Sequence, residues 1–312
     1  MLNIIQMLNE SVSKAPYLVS KDKKLMDRYY LSPSSATCYT NSGQPVGACI
    51  KQIWLDKKDY PISNPVTAYN QFTFDAGKMW EDWLIQQYKK LNIYIDSNVK
   101  LVDNDLSISC EIDILHHNPE DKTIEVTECK TYNGANIYAA KDILGDSTNF
   151  PKPKDQNLLQ CVKYLLVLNK YNITKVNLIY LDKSVSKIYN NKQFTIYLQG
   201  EDIYYDTYYK NELITIKEER FNVRSLLEKD QIILELLKLD YVPNPDYHPI
   251  YTKETFEKDY KLGNITKKNY ESVKTGKISV YDLNSYQCNY CRYFKNFETG
   301  ESTCLNTTNE TK

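Results

Sequence analysis

Asp113, Glu128 and Lys130 are the residues of this chain whose types and spacing point most directly to chemistry. They fall in two segments that read as neighbouring strands. In the second, Ile124-Glu125-Val126-Thr127-Glu128-Cys129-Lys130, period-two alternation puts Ile124, Val126, Glu128 and Lys130 on one face. In the first, Ser107 to Leu115, the apolar set Ile108, Cys110, Ile112 and Ile114 alternates with Ser109, Glu111 and Asp113. Asn118-Pro119-Glu120-Asp121 reads as a turn, so a hairpin is expected to bring Asp113 close to Glu128. Two carboxylates so placed suit a hard cation, Mg²⁺ or Mn²⁺, which takes oxygen ligands and keeps part of its water shell. Such an ion polarises a phosphoryl oxygen and lowers the pKa of a bound water. A lysine beside it can orient or deprotonate that water and offset charge growing on the phosphate. Taken alone, Glu128-Cys129-Lys130 is equally the sequence of a cross-strand ion pair on a half-exposed strand.

The elements that must position these groups follow from periodicity. A helix is expected from about Asp75, a plausible N-cap, to Lys90, with Met79, Trp80, Trp83, Leu84 and Tyr88 at helical spacing. After the hairpin, Thr131 to Lys154 reads as irregular, and a second helix runs from about Asp155 to Asn169. Gln160 and Tyr164, at i and i+4, share one face of it. Val176 to Leu181 reads as a strand, so the order helix, hairpin, helix, strand predicts an α/β (α+β) fold with a small mixed sheet flanked by helices. Further on, Gln193–Leu198 and Leu213–Ile216 read as strands, Val223–Leu239 as a helix, and everything from Tyr241 as turn-rich. The first thirty residues, with Lys21-Asp22-Lys23-Lys24, read as a surface helix or arm, and Leu31 to Pro65 as loop with a short helix at Lys51 to Leu55. Three segments are therefore expected: an N-terminal arm over 1–65, a core over 66–190, and a lobe over 191–312 that returns to pack on the core.

In series, Gly77…Glu81, Asp113, Glu128-Cys129-Lys130 and Gln160…Tyr164 resemble the PD-(D/E)XK nuclease superfamily, and within it the RecB-like, CRISPR-associated-exonuclease-like branch. The resemblance covers roughly Asn70 to Leu181. It implies a restriction-endonuclease-like core in which Asp113, Glu128 and the backbone carbonyl of Cys129 bind Mg²⁺ or Mn²⁺. Lys130 would position or activate the attacking water, and Gln160 and Tyr164 would orient the site and the DNA strand. Glu81 stands where many members carry a metal-binding His; glutamate is an acceptable oxygen ligand there. The implied activity is a metal-dependent DNA nuclease, an exonuclease on single strands or duplex ends that leaves 5′-phosphates, serving recombination, repair or replication in a phage or bacterium. A nucleic-acid-binding accessory subunit that keeps the fold without cutting is the alternative, with a zinc-stabilised interaction protein as a third reading.

Of the eight cysteines, Cys38, Cys49, Cys110, Cys129 and Cys161 are scattered, while Cys288, Cys291 and Cys304 crowd the C-terminus. Cys288-Asn289-Tyr290-Cys291 is a metal-ligand spacing, and a Cys₄ set accepts Zn²⁺ or a [4Fe–4S] cluster. The same resemblance implies an iron–sulfur cluster joining the three C-terminal cysteines to one before the nuclease helix, Cys49 or Cys38. Cys110, Cys129 and Cys161 are expected to act as small buried hydrophobes.

Composition narrows the partners. The 312 residues carry a formal net charge of -1, so no global positive field recruits nucleic acid and any such contact must be local. Lys152 and Lys154 precede the Gln/Tyr helix, and Lys267 and Lys268 lie in a lysine-rich stretch interleaved with Tyr260 and Tyr270, a mixture that suits a single-strand path. No apolar run reaches the ~20 residues of a membrane span, and no secretory leader is recognisable, so a cytoplasmic location is expected. No phosphate-binding Gly-x-x-x-x-Gly-Lys-Ser/Thr loop occurs, so ATP dependence would come from a partner such as a helicase or recombination protein.

Overall fold

A seven-stranded mixed sheet organises the part of the chain that holds Asp113 and Glu128. The computed structural model describes residues 30–134, 137–146, 148–184, 191–295 and 299–309, so all but the last of the first thirty residues, expected to form an arm, lie outside the described region. In chain order the described elements begin β1 (Thr37–Tyr39), β2 (Pro45–Gly47), α1 (Ile50–Lys57), α2 (Ala68–Lys90), β3 (Tyr94–Asp103), β4 (Ile108–His117) and β5 (Ile124–Tyr132). They continue α3 (Ile137–Leu144), α4 (Asp155–Leu168), β6 (Val176–Asp182), β7 (Lys192–Gln199), β8 (Asp202–Tyr209) and β9 (Glu212–Lys217). The remainder is α5 (Val223–Lys238), α6 (Lys253–Lys261), α7 (Lys267–Lys274) and α8 (Thr303–Asn306).

The chain forms two units: the first takes residues up to Gly47 with Thr67–Gln231, the second Ala48–Val66 with Ile232–Lys312. This differs from the expected three-part division. Strands β7 to β9 continue the main sheet, in the order β3-β4-β5-β6-β7-β8-β9, and so belong with the carboxylates. All neighbouring strands are antiparallel except β5 and β6, which are parallel. A parallel pair needs a crossover, and the segment carrying α3 and α4 supplies it.

Both faces of the sheet are covered. Leu158, Leu159, Cys161, Val162 and Leu165 of α4 join Ile108, Ile112, Val126, Leu178, Phe194 and Ile196 in the principal core. Leu84 and Ile85 of α2 join Ile114 and Leu181 in a second cluster, with Cys129 and Ile179 against it. Successive residues of a strand point to opposite faces, so Leu178 in one cluster and Ile179 in the other put the two helices on opposite sides of the sheet. Helix α4 also buries Lys163, ion-paired at 2.8 Å with Asp230.

Several elements differ from the sequence reading. Helix α2 starts at Ala68, where Thr67 caps it by accepting from the Asn70 N–H at 3.2 Å; Asp75 is internal and accepts from Gln71. The sheet is larger than expected because β3 and β8 join it. Strand β3 is an edge strand with half its residues exposed and an irregular register, which blurs its alternation. Helix α3 occupies part of the stretch expected to be irregular, and α6 and α7 part of the turn-rich tail, where Thr252 and Thr266 cap them.

In the second unit, α1 buries Ile53, Trp54 and Leu55, and its Lys51 ammonium donates to the Thr307 carbonyl at 2.8 Å. Tyr251, Phe256, Ile265 and Val280 form one small cluster there, and Tyr247, Cys288 and Phe294 another. Among the described residues no helix is long and apolar enough to cross a membrane.

Candidate active site

The β4–β5 ladder runs from His117 opposite Ile124 to Ile114 opposite Thr127, and there it stops. The next positions along are Asp113 and Glu128. In place of a ladder bond, the Asp113 carboxylate accepts the Cys129 N–H at 2.9 Å. The side chain thus does what the backbone of β4 no longer does, and it is tied to β5 one residue from Glu128.

The expectation that Ile112 and Ile114 share a face is corrected here. Ile112 packs into the principal core, whereas Ile114 packs with Leu84, Ile85 and Leu181. Alternation is broken at the residue between them, which is Asp113. On β3 the residue facing this point, between Ser97 and Val99, is Asn98, held at φ +55° in the left-handed region that Asn tolerates better than most residues.

Glu128 is 1% exposed, enclosed between β5 and α4. Its Oε1 accepts from the Lys130 ammonium at 2.5 Å and from Gln160 Nε2 at 2.8 Å. Gln160 Nε2 also donates to the Tyr164 hydroxyl at 2.9 Å, and that hydroxyl donates to the Glu111 carbonyl at 3.0 Å. The i, i+4 pair on α4 is therefore a strut from strand β4 to the Glu128 carboxylate. Glu128 Oε2 is buried and has no hydrogen-bond partner among the described residues. A buried, unsatisfied carboxylate oxygen is costly, and it is the kind of atom a cation satisfies.

The electrostatics show how tightly these groups are gathered. Burial, the Glu128 charge and the Glu81 charge raise Asp113 well above the usual carboxylate range, against the Cys129 N–H and Lys130. Burial pulls the Lys130 ammonium down, but Glu128 and Asp113 outweigh it and hold its pKa above the ordinary lysine value. Lys130 is thus an ammonium here. Burial, then Asp113, Glu81 and Glu128, pushes the Cys129 thiol far up, so it is an unreactive neighbour.

Glu81 of α2 reaches this field from the opposite face of the sheet, with its carboxylate ion-paired to Lys78 at 2.5 Å. Lys78 in turn donates to Asn98 Oδ1 at 3.2 Å. Sequence reasoning passed over Lys78, although its i, i+3 relation to Glu81 on a helix was visible. Asp113, Glu128 and Glu81 offer the oxygen donors that Mg²⁺ or Mn²⁺ prefers, and the orphaned Oε2 fits such an ion. As placed, however, no three His, Cys, Asp or Glu side chains among the described residues are gathered closely enough to hold a metal, and two ammonium groups stand as counter-charges on Glu128 and Glu81.

The lysines expected to touch DNA are divided between the units. Lys152 and Lys154 are exposed just before α4, where the Lys154 N–H donates to the Tyr180 hydroxyl at 3.0 Å, and they share the unit of the carboxylates. Lys267 and Lys268 open α7 in the other unit, exposed, where Tyr260 and Tyr270 stack with ring centroids 3.6 Å apart.

The cysteines are all free thiols. Cys49 and Cys291 pack against the cluster of Tyr247, Cys288 and Phe294. Burial, followed by the charges of Cys49, Cys291 and Cys304, raises Cys288 strongly. Burial also raises Cys304 to about 12, with Lys51 opposing and Cys49 and Cys291 adding. Cys49, Cys291 and Cys304 are thus the electrostatic neighbours of Cys288 in the second unit, although as placed no three of these described thiols are gathered closely enough to hold a metal. Cys38 is not among them: it lies in the principal core of the first unit, raised to about 12 by burial and flanked by Lys229 and Ser225. Cys110 and Cys161 are buried hydrophobes, as expected, while Cys129 is half-buried against the second cluster.

The chain matches no protein-family model, no curated protein and no solved structure. What the site can do is read from its own donors: two carboxyl groups with an unsatisfied buried oxygen, a lysine held as ammonium, and a helix-borne strut that fixes one carboxylate.

Proposed function

We propose that the chain is a metal-dependent DNA nuclease of the PD-(D/E)XK, RecB-like kind, acting on single strands or duplex ends in recombination, repair or replication. The observation that carries this reading is Glu128, a carboxylate 1% exposed whose Oε2 is unpartnered among the described residues while Asp113 and Lys130 adjoin it. Asp113 and Glu128 would hold Mg²⁺ or Mn²⁺, with Glu81 and the Cys129 carbonyl as further oxygen donors. When bound, the ion supplies Lewis-acid polarisation of a phosphodiester oxygen and a water of lowered pKa. Lys130, as an ammonium, donates hydrogen bonds to the attacking water and to phosphate oxygens, and offsets their growing charge. Gln160 fixes the Glu128 carboxylate, and Tyr164 fixes Gln160. Lys152 and Lys154 offer cations to the strand at the start of α4.

Cys49, Cys288, Cys291 and Cys304 would hold a [4Fe–4S] cluster or Zn²⁺ in a structural role. Burial and mutual repulsion disfavour thiolates there unless a cation neutralises them. Iron, sulfide and zinc analysis of protein purified without oxygen distinguishes the two, and a preparation holding neither removes the assignment.

End-labelled single- and double-stranded DNA incubated with Mg²⁺, Mn²⁺ or EDTA, with Lys130→Ala alongside, tests the nuclease. Metal-dependent cleavage lost in the variant is the expected result, and full activity of the variant refutes the catalytic assignment. The Lys78–Glu81 ion pair, which occupies one expected ligand, favours a second reading as an accessory subunit that binds DNA without cutting it. Tight binding with no cleavage in any metal would select that reading.

A further inference from the structure

A cleft of about 530 Å³ opens at the end of the main sheet, between the start of β7, the β8–β9 turn and the end of α3. Asn191, Lys192, Gln193, Tyr208, Lys210 and Asn211 line it. Its place relative to the carboxylates follows from register. Lys130 of β5 is opposite Tyr180 of β6, and Tyr180 is opposite Lys192 of β7. Directly paired residues point to the same face, so Lys130, Tyr180 and Lys192 form one row across the sheet. Two strand spacings separate Lys130 from Lys192, roughly 10 Å. That is about three nucleotide steps of a stacked strand, or fewer when the strand is extended.

The chemistry of the lining is that of an anion site beside an aromatic ring. Lys192 is half-buried, and its ammonium donates to the backbone carbonyl of Tyr208. No carboxylate pairs with Lys192 or Lys210 among the described residues. Burial lowers the Lys192 pKa. Lys210 and Asn211 form a two-residue turn in which both have positive φ, +51° and +68°. Asn suits that conformation and Lys does not, so a lysine is kept there at some strain. Its ammonium lies 4.8 Å from the centroid of the Tyr209 ring, while Tyr208, which alternation from Tyr205 and Thr207 places on the sheet face opposite Lys192 at the rim of the cleft, is 65% exposed.

We propose that this cleft binds the nucleotides of a single DNA strand that flank the scissile phosphate, Lys192 and Lys210 taking a phosphate and Tyr208 stacking on a base. That the flanked phosphate is the one cleaved rests on the nuclease reading, but the cleft's affinity for a strand can be measured without cleavage.

The test is fluorescence anisotropy of a labelled oligothymidylate in EDTA. It compares the wild-type chain with Lys192→Ala combined with Lys210→Asn, a change the turn accepts, and with Tyr208→Ala and Tyr208→Phe. Circular dichroism verifies that each variant is folded. The double variant is expected to bind at least about tenfold more weakly, and its logarithmic salt slope to fall by about 0.7 for the single-strand phosphate no longer neutralised. Tyr208→Ala should weaken binding about fivefold or more, and Tyr208→Phe should retain it. Binding within twofold of wild type in the double variant and in Tyr208→Ala overturns the proposal, as does a wild-type chain that binds no oligothymidylate. If binding falls as expected but Lys130→Ala cuts as well as wild type, the cleft stands and the catalytic assignment fails. If cleavage depends on Lys130 while the cleft variants bind as wild type does, the catalytic assignment stands and the cleft proposal fails.

Discussion

Lys130→Ala perturbs the group on which both stability and chemistry are argued. Removing the ammonium leaves Glu128, 1% exposed, with Gln160 on one oxygen, no partner among the described residues on the other, and Asp113 nearby. Breaking a fully buried pair costs ~3–5 kcal/mol. The Lys130 side chain is 31% exposed, so part of the pair is screened, and about 2 kcal/mol is the expected loss for the metal-free protein. For a unit of this size that lowers Tm by roughly 4–8 °C. Magnesium at ~100 times its Kd stabilises by about 2.7 kcal/mol if the carboxylates bind it. Because the ammonium and the ion compete for the same charge, Mg²⁺ should stabilise the variant by at least ~1 kcal/mol more than it stabilises the wild type. The assay is urea denaturation of both proteins in EDTA and in Mg²⁺, with tryptophan fluorescence as the probe. An undiminished midpoint for the variant in EDTA would refute the buried-pair argument. Equal Mg²⁺ shifts in the two proteins would show that the ion does not bind where Lys130 acts.

Asp113 is raised by burial and Glu128, so the fold binds its proton more tightly than the unfolded chain does. The Asp113 contribution to metal-free stability should therefore be greatest in acid and fall as pH rises from about 4 through the raised pKa, so Asp113→Asn should gain on the wild type across that range; the check is chemical denaturation of both proteins across pH in EDTA. Gln160→Ala removes the 2.8 Å bond to Glu128 and the partner of Tyr164. It should cost about 1–2 kcal/mol and lower kcat for DNA cleavage at least tenfold with KM little changed, and a change confined to KM would contradict a positioning role. Gly47→Ala meets two obstacles: φ is +86°, and a Cβ would lie 2.2 Å from the Ala36 carbonyl oxygen. A loss of at least ~2 kcal/mol in thermal denaturation is expected, and an unchanged Tm would contradict the placement of β1 and β2.

The chemistry-bearing segments were legible because local periodicity records which side of an element is buried. The alternation of Ile108 to Ile112 and the i, i+4 spacing of Gln160 and Tyr164 are properties of one strand and one helix, and both reappear in the fold. Strand β8 was legible too: Ile203, Tyr205 and Thr207 are buried on alternate positions, a pattern present in the sequence and passed over. Strand β3 was not, since an edge strand with one neighbour and many exposed residues carries little alternation.

What the sequence by itself determined is the inventory and its local order: Asp113 on one strand, Glu128 and Lys130 on the next, Gln160 and Tyr164 on a helix, and a Cys-x-x-Cys near the C-terminus. Tertiary structure decided which of these meet. The alternation of β4 breaks at Asp113 because its side chain takes a β5 N–H from a ladder that has ended, and no local pattern encodes the end of a pairing between strands. Lys78 becomes relevant only because α2 packs on the sheet face that carries Cys129. Cys49 rather than Cys38 adjoins the C-terminal cysteines for the same reason. Spacing along a chain constrains neighbours within a turn or a hairpin, whereas contacts between distant segments are selected by how whole faces pack.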